Sequence, residues 1–539
     1  MRKHFNNKVL KAFVLSIFLC ICLYSLSGCS KKSEDDGSDH SVVVTLLNNP
    51  QNLDPQLAVD RSSIMVIKNM FSGLMTINSD GEVVCGISKS YEISDDGLLY
   101  RFELKDDCFW YNGEEPASPV TAHDFVFAFK RIFDPVTRSP YKERFSFLEN
   151  ARQIIDGELD HSKLGVYATS SLELVFKLDR PCSEFLYLLT TAPAMPCNMD
   201  FFESTKARYG LDDKSVISNG AFYMTQWSYD PYGNDNLIYM KRNYENSVSD
   251  RVFPKMLTFV IERDPSEIYD QFDDSETDCI VSEKSYKNSK GSNISKKYEY
   301  SSVGILFNSD EDIDSNVKKA LSLNVNRNQL DSSAVECYKK GFGIIPGYYK
   351  FNNIKYREKY KDSELPFYGE KYVLSEDEIS DFNSLSEEEL KIMVKIGSDG
   401  GCISKLVEHW YDKLGISLTV DYVEEDEYQK RLDSKDYFMA FTGIESDDNS
   451  VYYYLENAFH IIDPDDESDV SGLLDEALSC IEAERKEQIF QEIENRLIST
   501  GNYIPLFYKK EYFVCKKDTE DWIFDPFSRY IDFRYVKHF

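Results

Sequence analysis

Residue types that commonly carry out catalysis are present in this chain, but none of them stands in a catalytic pattern. The seven histidines show no HExxH pair or other metal-binding spacing, and no GxSxG nucleophile elbow occurs. A zinc hydrolase needs two histidines one helical turn apart, and an α/β-hydrolase needs its serine on a sharp turn. The sequence therefore predicts a protein that is not an enzyme and that uses no metal or cofactor. The histidines are His4, His40, His123, His161, His409, His460 and His538.

Two other stretches bear a superficial likeness to binding loops. Residues 397–401, GSDGG, suggest a phosphate loop, but the Gly-Lys-Ser/Thr ending of such loops is missing, so we interpret them as a tight turn. Residues 463–469, DPDDESD, suggest a calcium loop. They lack the required alternation of ligands, which favours a solvated acidic loop.

The cysteines that follow Cys29 are scattered and contain no CxxC motif. Cys182 and Cys197 are the closest pair along the chain, and an exported protein could oxidise them. Their number is odd, so at least one thiol stays unpaired. We favour a mostly buried, reduced set over a disulfide framework. They are Cys85, Cys108, Cys182, Cys197, Cys279, Cys337, Cys402, Cys480 and Cys515.

The amino terminus has the pattern of an export signal. Basic residues precede an acid-free apolar run over residues 12–26, which is too short to span a bilayer comfortably. The run ends in Leu-Ser-Gly-Cys29, which resembles the lipobox of bacterial lipoproteins, where the cysteine is lipidated and becomes the new amino terminus. We predict a lipoprotein signal peptide over residues 1–28 and a polar lipidated tether over residues 29–40. The alternative is an ordinary secretory signal that happens to contain a cysteine.

The charge of the chain limits its partners. Asp and Glu number 93 against 61 Lys and Arg, which gives a formal net charge of −32. Such a surface repels nucleic acid and anionic lipid headgroups, so we expect no nucleic-acid partner, and attachment to a membrane has to come from acyl chains. At 539 residues the chain is long enough for more than one lobe.

Residues 52–141 contain more turn and helix-capping signals than any other region of the sequence. Asp80-Gly81 and Asp96-Gly97 each lie between apolar runs and predict two β-hairpins, because glycine accepts the positive φ of a tight turn. Thr121 with Asp124 predicts a capping box that opens a helix, and Asp134-Pro135 predicts its end.

Farther along, strand and helix patterns alternate. Residues 390–396 and 416–423 read as strands around a helix over residues 403–414, which Gly415 stops, and together they predict a βαβ unit. We also predict a strand over residues 303–308, a helix over residues 312–330, a strand over residues 436–443 and one long helix over residues 473–498. Mixed patterns of this kind are typical of an α/β or α+β multi-lobe protein.

Many short motifs, taken in order, carry a family resemblance that covers nearly the whole exported chain. The chain resembles the lipid-anchored substrate-binding proteins of ABC importers, in the class that binds oligopeptides, dipeptides, nickel complexes and some oligosaccharides. The motifs are LDP at 53–55, FSGL at 71–74, SYEISDDGLLYRFEL at 90–104, FWYNGEEPASPVTAHDFVFAFKRIFDPVTRSPY at 109–141, SNGAFYMTQW at 218–227, KRNYEN at 241–246, LFNSDEDIDSNVKKAL at 306–321 and IPLFY at 504–508.

The resemblance implies an α/β, two-lobe, periplasmic-binding-protein-like clamshell with an additional inserted subdomain. Lobe I would comprise residues 41–71, 197–300 and 510–539, the subdomain residues 72–196, and lobe II residues 301–509. The implied function is that of a monomeric receptor on the outer face of the bacterial cytoplasmic membrane. It would capture oligopeptides and deliver them to an ABC permease and ATPase complex.

The resemblance also implies a set of binding residues in the cleft. An extended ligand would pair its backbone with two short segments, a form of strand addition. In similar peptide binders an aspartate just after the second segment holds the ammonium of the peptide, and Asp447 occupies that position. Tyr141 and Tyr428 match aromatic positions of the cleft. The two segments are Val59, Asp60 and Arg61, and Gly443, Ile444 and Glu445.

Several departures leave the ligand open. Ile444 stands where peptide binders often carry a tryptophan, and Glu445 and Asp448 crowd Asp447. Asp447 could equally be an exposed loop acid, and the two tyrosines could serve packing alone. The alternatives for the whole chain are a binder of a nickel complex or an oligosaccharide, a sensory lipoprotein for peptide pheromones, or a surface hydrolase.

Overall fold

The fold was analysed in a computed structural model. The structure describes residues 40–539 except 114–117, 234–235, 246–250, 263, 265, 284–285, 287–290, 292, 312, 332–335, 352–353, 367–372, 386–389 and 463–468. The predicted signal peptide, the lipidation site Cys29 and all of the predicted tether before His40 lie outside the described residues, as does most of the acidic loop 463–469. None of the described helices is both long enough and apolar enough to cross a membrane.

The described strands and helices alternate along most of the chain. The strands are β1 (Ser41–Leu46), β2 (Met75–Ile77), β3 (Val83–Cys85), β4 (Ser88–Ile93), β5 (Leu99–Leu104), β6 (Val166–Ser170), β7 (Glu173–Lys177), β8 (Phe222–Ser228), β9 (Leu237–Arg242), β10 (Met256–Ile261), β11 (Cys279–Ser282), β12 (Asn293–Phe307), β13 (Tyr338–Lys340), β14 (Lys350–Phe351), β15 (Ile354–Lys355), β16 (Lys391–Lys395), β17 (Thr419–Val423), β18 (Met439–Ile444), β19 (Tyr503–Lys516), β20 (Thr519–Glu520), β21 (Ile523–Asp525), β22 (Tyr530–Asp532) and β23 (Lys537–His538).

The helices are α1 (Arg61–Met70), α2 (Ala122–Phe133), α3 (Ala151–Ile155), α4 (Phe185–Leu188), α5 (Met199–Ser204), α6 (Glu267–Asp273), α7 (Ser315–Leu323), α8 (Arg327–Asp331), α9 (Tyr356–Lys359), α10 (Glu376–Asn383), α11 (Cys402–Leu414), α12 (Glu425–Asp433), α13 (Val451–Ile462), α14 (Val470–Ser479) and α15 (Ala483–Ser499). Short 3₁₀ turns occur at Glu143–Phe145, His161–Lys163, Ala192–Ala194 and Asp362–Glu364.

One large mixed sheet runs through the described chain in the order β17-β16-β18-β12-β19-β11-β1-β10-β9-β8, and β13 pairs with β19 beside it. Its centre is the antiparallel pair β12–β19, whose strands have 15 and 14 residues. The register of this pair shifts between Glu299 and Ser301 and again between Val303 and Gly304. At the second shift a Cβ on Gly304 would lie 2.1 Å from the carbonyl oxygen of Ile504, so glycine is needed for the close approach of the two backbones.

Residues 72–196 carry a separate antiparallel sheet in the order β4-β5-β7-β6. The helix α2 packs on it through Phe125 and Phe129, and this layer shares one hydrophobic core with β1, β8, β9 and β10. A second core surrounds α13, α14 and α15, and a third lies between α11 and the strands β12, β16 and β18.

The predicted hairpins and the βαβ unit are confirmed. Gly81 and Gly97 have φ values of 83° and 69° in the β2–β3 and β4–β5 turns. The strands β16 and β17 are parallel and joined by α11, which ends at Gly415 with φ 72°. The N–H of Thr121 donates to Oδ2 of Asp124 at 2.7 Å, and both halves of the predicted capping box are present.

The prediction of one helix over residues 473–498 was wrong, because the chain is extended at Cys480 and Glu482 between α14 and α15. The buried face of α14 includes Leu473 and Ala477, and on an unbroken helix that face would continue through Ile481, which is 65% exposed. The buried face of α15 lies on the opposite side from the one that would continue the buried face of α14. The buried faces of α14 and α15 can therefore both pack on the core only if the helix breaks between them.

The predicted helix over residues 312–330 is also divided, into α7 and α8. The Nδ2 of Asn324 donates to the carbonyl oxygen of Ala320 at 2.9 Å, and Asn324 has left helical geometry at ψ 43°. Asn326 then accepts the N–H of Gln329 at 3.3 Å in the first turn of α8. Asparagine side chains that bond the backbone in this way compete with helix continuation.

A buried ion pair joins the start of the chain to α2. Arg131 Nη2 lies 2.5 Å from Oδ2 of Asp54, and Arg131 Nη1 donates to Oε1 of Gln56 at 2.7 Å. The Arg131 guanidinium also lies 4.0 Å from the centre of the Phe202 ring. Asp54 and Arg131 are 2% and 6% exposed, so each charge depends on the other for compensation.

We predict that Asp54→Ala lowers the free energy of unfolding by about 3–5 kcal/mol, because it leaves the Arg131 charge buried and unpaired. The double variant Asp54→Ala/Arg131→Met should recover part of that loss. Urea unfolding followed by circular dichroism measures both. Glu476→Ala is the matched control, since its pair with Arg485 is roughly half exposed and should contribute less than about 1 kcal/mol. Equal losses for Asp54→Ala and the control would contradict the argument.

Candidate functional site

The amino-terminal end of α1 positions the guanidinium of Arg61, which lines two cavities. Asp60 caps this helix, because its carboxylate accepts from the N–H of Ser63 at 2.9 Å and from the Ser63 hydroxyl at 2.5 Å. Arg61 is the first helical residue and its side chain is 46% exposed. The preceding Val59 is 60% exposed. Of the three residues predicted here, Arg61 and Val59 are available to a ligand, while the Asp60 carboxylate is engaged by the helix.

The other end of α1 is held by the carboxyl-terminal tail. The side chain of Asn69 donates to the carbonyl oxygen of Ile531 at 3.0 Å, and its Oδ1 accepts from the N–H of Phe533 at 3.4 Å. Asn69 is 2% exposed, so these bonds fix the helix axis and with it the position of Arg61.

Tyr141 lies against the segment that leads into α1. Its hydroxyl donates to the carbonyl oxygen of Ala58, and the hydroxyl of Ser139 donates to the carbonyl oxygen of Gln56 at 2.7 Å. Burial raises the pKa of Tyr141 to about 12, so the phenol stays neutral. The structure thus brings Tyr141 together with Val59 and Arg61.

The loop between β18 and α13 forms the opposite wall. Gly443 lies opposite Val303 in the β12–β18 ladder. The side chain of Ile444 is fully buried, and its carbonyl oxygen accepts from the hydroxyl of Tyr454 at 2.9 Å. The carbonyl oxygen of Glu445 accepts from the side-chain amide of Asn457. This wall therefore presents Gly443 and the side chain of Glu445, while Ile444 is part of the core.

Each acid of this loop faces a base from elsewhere in the chain. Oδ1 of Asp447 lies 2.7 Å from Nη2 of Arg61, and Oε1 of Glu445 lies 3.7 Å from Nζ of Lys509. Asp448 is paired with Arg144 through both carboxylate oxygens. The predicted acids Glu445 and Asp447, and the neighbouring Asp448, therefore each have a base as partner.

The pair of Arg144 and Asp448 is the most buried of the three. The hydroxyl of Tyr187 donates to Oδ1 of Asp448 at 3.1 Å, and the N–H of Asn449 donates to the Tyr187 oxygen at 2.8 Å. Burial, followed by the Asp448 charge, raises the pKa of Tyr187 well above its usual value. Burial alone would lower the pKa of Arg144, but Asp448 outweighs that effect and the net shift is upward, so Arg144 stays charged.

Two cavities flank the Arg61–Asp447 pair. One of about 870 Å³ lies between the segment 140–147 and the loop after β18, and its lining includes Tyr141, Arg144, Asp447, Tyr453 and Asn457. The other, of about 800 Å³, has a more apolar lining that includes Val44, Met65, Ile280, Glu511 and Arg529. Arg61 lines both. Each volume lies in the range of small-molecule sites in proteins.

Tyr428 lies apart from these residues. It is 7% exposed, its hydroxyl donates to the carbonyl oxygen of Phe441 at 2.8 Å, and it packs on Met393 and Ala440. It lines neither of the two cavities. Of the other predicted residues, Arg61, Tyr141, Glu445 and Asp447 line the 870 Å³ cavity. Val59, Asp60 and Gly443 line neither cavity, Ile444 lies in the core, and Tyr428 is in a packing position.

Sequence reasoning missed Arg144, Tyr187 and Lys509. Arg144 follows Tyr141 by three residues in the same turn, which is a local signal that could have suggested it. Tyr187 and Lys509 carry no such signal, since they meet the loop after β18 only through the fold. Within the described residues, no group of three or more His, Cys, Asp or Glu side chains is arranged to hold a metal ion.

A buried acid lies at the wall of the 800 Å³ cavity, next to the register shift of β12. Glu511 is 2% exposed, and its Oε1 lies 2.7 Å from Nη2 of Arg529. Its Oε2 has no hydrogen-bond partner among the described residues. Burial raises the pKa of Glu511 to about 7, although Arg529 and Lys509 pull it downward.

Comparison with known proteins identifies the family. The model of the bacterial extracellular solute-binding proteins, family 5, matches residues 82–462. The chain belongs to this family. The oligopeptide-binding protein OppA of Bacillus subtilis is 25% identical over 466 residues, which cover 82% of each chain. The periplasmic murein peptide-binding protein MppA of Escherichia coli is 34% identical over 179 residues, which cover 33% of this chain and 32% of MppA.

Solved structures agree with this family in their fold. The substrate-binding domain of an oligopeptide ABC transporter from Bacillus anthracis superposes with a TM-score of 0.68 at 19% identity, covering 92% of this chain and 98% of that one. The unliganded open form of MppA gives a TM-score of 0.69 at 21% identity, with coverage of 92% and 98%. The family 5 protein described here therefore has the α/β, two-lobe clamshell fold, and it is a substrate-binding protein and not an enzyme.

The raised pKa of Glu511 predicts a pH dependence of stability. In the unfolded chain the carboxyl ionises near its ordinary pKa of 4.5, whereas in the folded protein it keeps its proton to about pH 7. The stabilising contribution is therefore complete below about pH 4.5 and is lost as the pH rises towards 7, with a total of about 3 kcal/mol. In Glu511→Gln this contribution should not vary with pH.

The measurement is the difference in unfolding free energy between the wild type and Glu511→Gln from pH 4.5 to 8. The wild type should lose stability relative to the variant across that window. Glu520→Gln, an exposed residue of the same tail, serves as the control and should show no such trend. A constant difference for Glu511→Gln would rule out the raised pKa.

Proposed function

We propose that this family 5 protein is the extracytoplasmic substrate-binding component of an ABC peptide importer. The observation that supports this most is the 870 Å³ cavity between Tyr141 and the loop after β18, in which Asp447 is held by one exposed base. A relative that spans 82% of the chain, OppA of Bacillus subtilis, is named for oligopeptide binding. The proposed ligand is an oligopeptide whose ammonium binds Asp447 and whose backbone runs beside Val59–Arg61 and Gly443–Glu445.

The proposed mechanism is closure of two lobes about the β12–β19 pair. Lobe I comprises residues 41–71, 197–300 and 510–539, the inserted subdomain residues 72–196, and lobe II residues 301–509. The proposed boundaries at 300 and 509 lie beside the register shift between Glu299 and Ser301, where an extra residue loosens the ladder. Ligand contacts from both sides of the cleft favour the closed state, which the permease and ATPase complex then recognises.

The proposed location is the outer face of the bacterial cytoplasmic membrane, where a monomer is anchored by lipid on Cys29. The sequence Leu-Ser-Gly-Cys29 after an apolar run supports the anchor, and the net charge of −32 argues against attachment through a basic patch. Tethering would keep the receptor beside its transporter.

We expect Cys29→Ser to abolish labelling by a fatty-acid analogue and to move the protein from the membrane fraction to the medium or periplasm. Fractionation of cells followed by immunoblotting measures this. Cys85→Ser is the matched control, since Cys85 belongs to the folded part of the chain and should leave both readouts unchanged. Membrane retention of Cys29→Ser with undiminished labelling would show that the anchor lies elsewhere.

The peptide ligand is tested by isothermal titration of the purified protein with pools of unmodified peptides of two to eight residues. We expect saturable binding of at least one pool, and acetylation of the peptide amine should weaken it about tenfold or more because Asp447 loses its cation. Asp447→Asn should remove this preference for the free amine. Binding of an oligosaccharide or a nickel chelate without any peptide would refute the peptide assignment, and equal losses for free and acetylated peptides in Asp447→Asn would refute the role of Asp447.

A further inference from the structure

The three acids of the loop after β18 each face a base, and this balance of charge restricts the ligand. Glu445, Asp447 and Asp448 face Lys509, Arg61 and Arg144. A ligand that brings only an ammonium group to Asp447 displaces Arg61 from the carboxylate that it binds here. A ligand that also brings a carboxylate restores the balance.

The three pairs differ in how easily a ligand can replace one partner. The side chains of Arg144 and Asp448 are 23% and 18% exposed, and Arg144 also lies 4.7 Å from the centre of the Tyr453 ring. Removing one partner of a pair as enclosed as this is strongly unfavourable, because the other charge is left buried and unpaired. The Lys509 side chain is 20% exposed and has a second acid, Glu283, at 3.2 Å. Arg144 and Asp448 are therefore a fixed part of the wall, and Lys509 keeps one acid if the other, the 41% exposed Glu445, is displaced.

The pair of Arg61 and Asp447 is the exchangeable one. The two side chains are 46% and 66% exposed and are joined by one hydrogen bond of 2.7 Å. Exposed pairs of this kind contribute little to stability, so a ligand can break this one at little cost. The Arg61 side chain borders both cavities, which gives its head group space to turn without moving the helix.

We infer that Arg61 is a specificity-determining residue that exchanges its partner on binding. The ammonium of the ligand takes the place of Arg61 on Asp447, and Arg61 turns to bind a carboxylate of the same ligand. The preferred ligand is therefore a peptide that carries a carboxylate close to its amino terminus. This inference rests on the proposed function as a peptide receptor.

Two parts of a peptide can supply that carboxylate, with the same chemistry. One is the side chain of an acidic first residue, and the other is the carboxyl terminus of a dipeptide. In either case the guanidinium of Arg61 can take both carboxylate oxygens, a geometry that lysine cannot reproduce.

The test is isothermal titration of the wild type and Arg61→Gln with the tripeptides Glu-Ala-Ala and Gln-Ala-Ala. The wild type should bind Glu-Ala-Ala about tenfold more tightly, and Arg61→Gln should reduce its affinity by about that factor. The same variant should bind Gln-Ala-Ala equally well or up to about fivefold more tightly, since Asp447 has lost its competitor. A purely structural role of Arg61 would lower both affinities together.

Further measurements identify the source of the carboxylate and control for charge. Ala-Ala and its carboxyl-terminal amide separate the terminal carboxylate from the side chain, because a terminal contact makes Ala-Ala, but not its amide, sensitive to Arg61→Gln. Arg61→Lys should retain only part of the preference for Glu-Ala-Ala. Arg485→Gln removes the same charge from a similarly exposed pair and lines neither cavity, so it should change no affinity.

The outcomes distinguish this inference from the proposed function. If no peptide of any sequence binds the wild type, the proposed function fails and the inference fails with it. If peptides bind but Arg61→Gln changes the affinity for Glu-Ala-Ala, Gln-Ala-Ala and the dipeptides in the same direction and by the same factor, the peptide receptor stands and the exchange of Arg61 is refuted.

Discussion

The antiparallel pair β12–β19 is the element on which the rest of the structure depends. Its hydrogen-bonded ladder extends from Asn293 to Leu306 on one strand and carries the parallel βαβ unit on one side and β11 with β1 on the other. Because this sheet contains strands from both proposed lobes, the lobes are joined by one hydrogen-bonded ladder. The register shifts at Glu299–Ser301 and Val303–Gly304 break the regular ladder only locally, so they are the points at which the sheet can bend.

Charge pairing determines how the surrounding elements meet. The chain has a large excess of acids, and several of its bases are buried opposite one carboxylate each. Arg131 with Asp54 joins α2 to the segment before α1, and Lys486 with Glu184 joins α15 to the region of α4. Burying a charge is unfavourable unless it is paired. Any other packing of the same elements would leave these charges buried and unpaired, and this penalty is larger than the stability that the pairs add to the native packing.

The pairing in the cleft follows the same rule but leaves one exception. Arg144 is enclosed with Asp448, and Lys509 lies between two acids, whereas Arg61 and Asp447 form a single pair that is open to solvent. A binding site needs rigid walls and at least one group that can exchange its partner at low cost. The hydrogen bonds of Tyr187, Asn69 and Asp60 make the walls rigid. The exposed Arg61–Asp447 pair is the one that can exchange its partner.

The family followed from the resemblance carried by many short motifs taken in order. Local patterns in the sequence determined the hairpins at Gly81 and Gly97, the capped helix α2 and the βαβ unit, because turn chemistry and periodicity act within a few residues. They failed where helices divide at Asn324 and Cys480, since there a side-chain bond or a change of buried face overrides helix propensity. Only the tertiary structure decided that Arg61 meets Asp447, that Arg144 meets Asp448 and that Tyr428 packs inside. The paired residues are separated by 386 and 304 positions, and no local signal reports which distant charges a folded chain brings together.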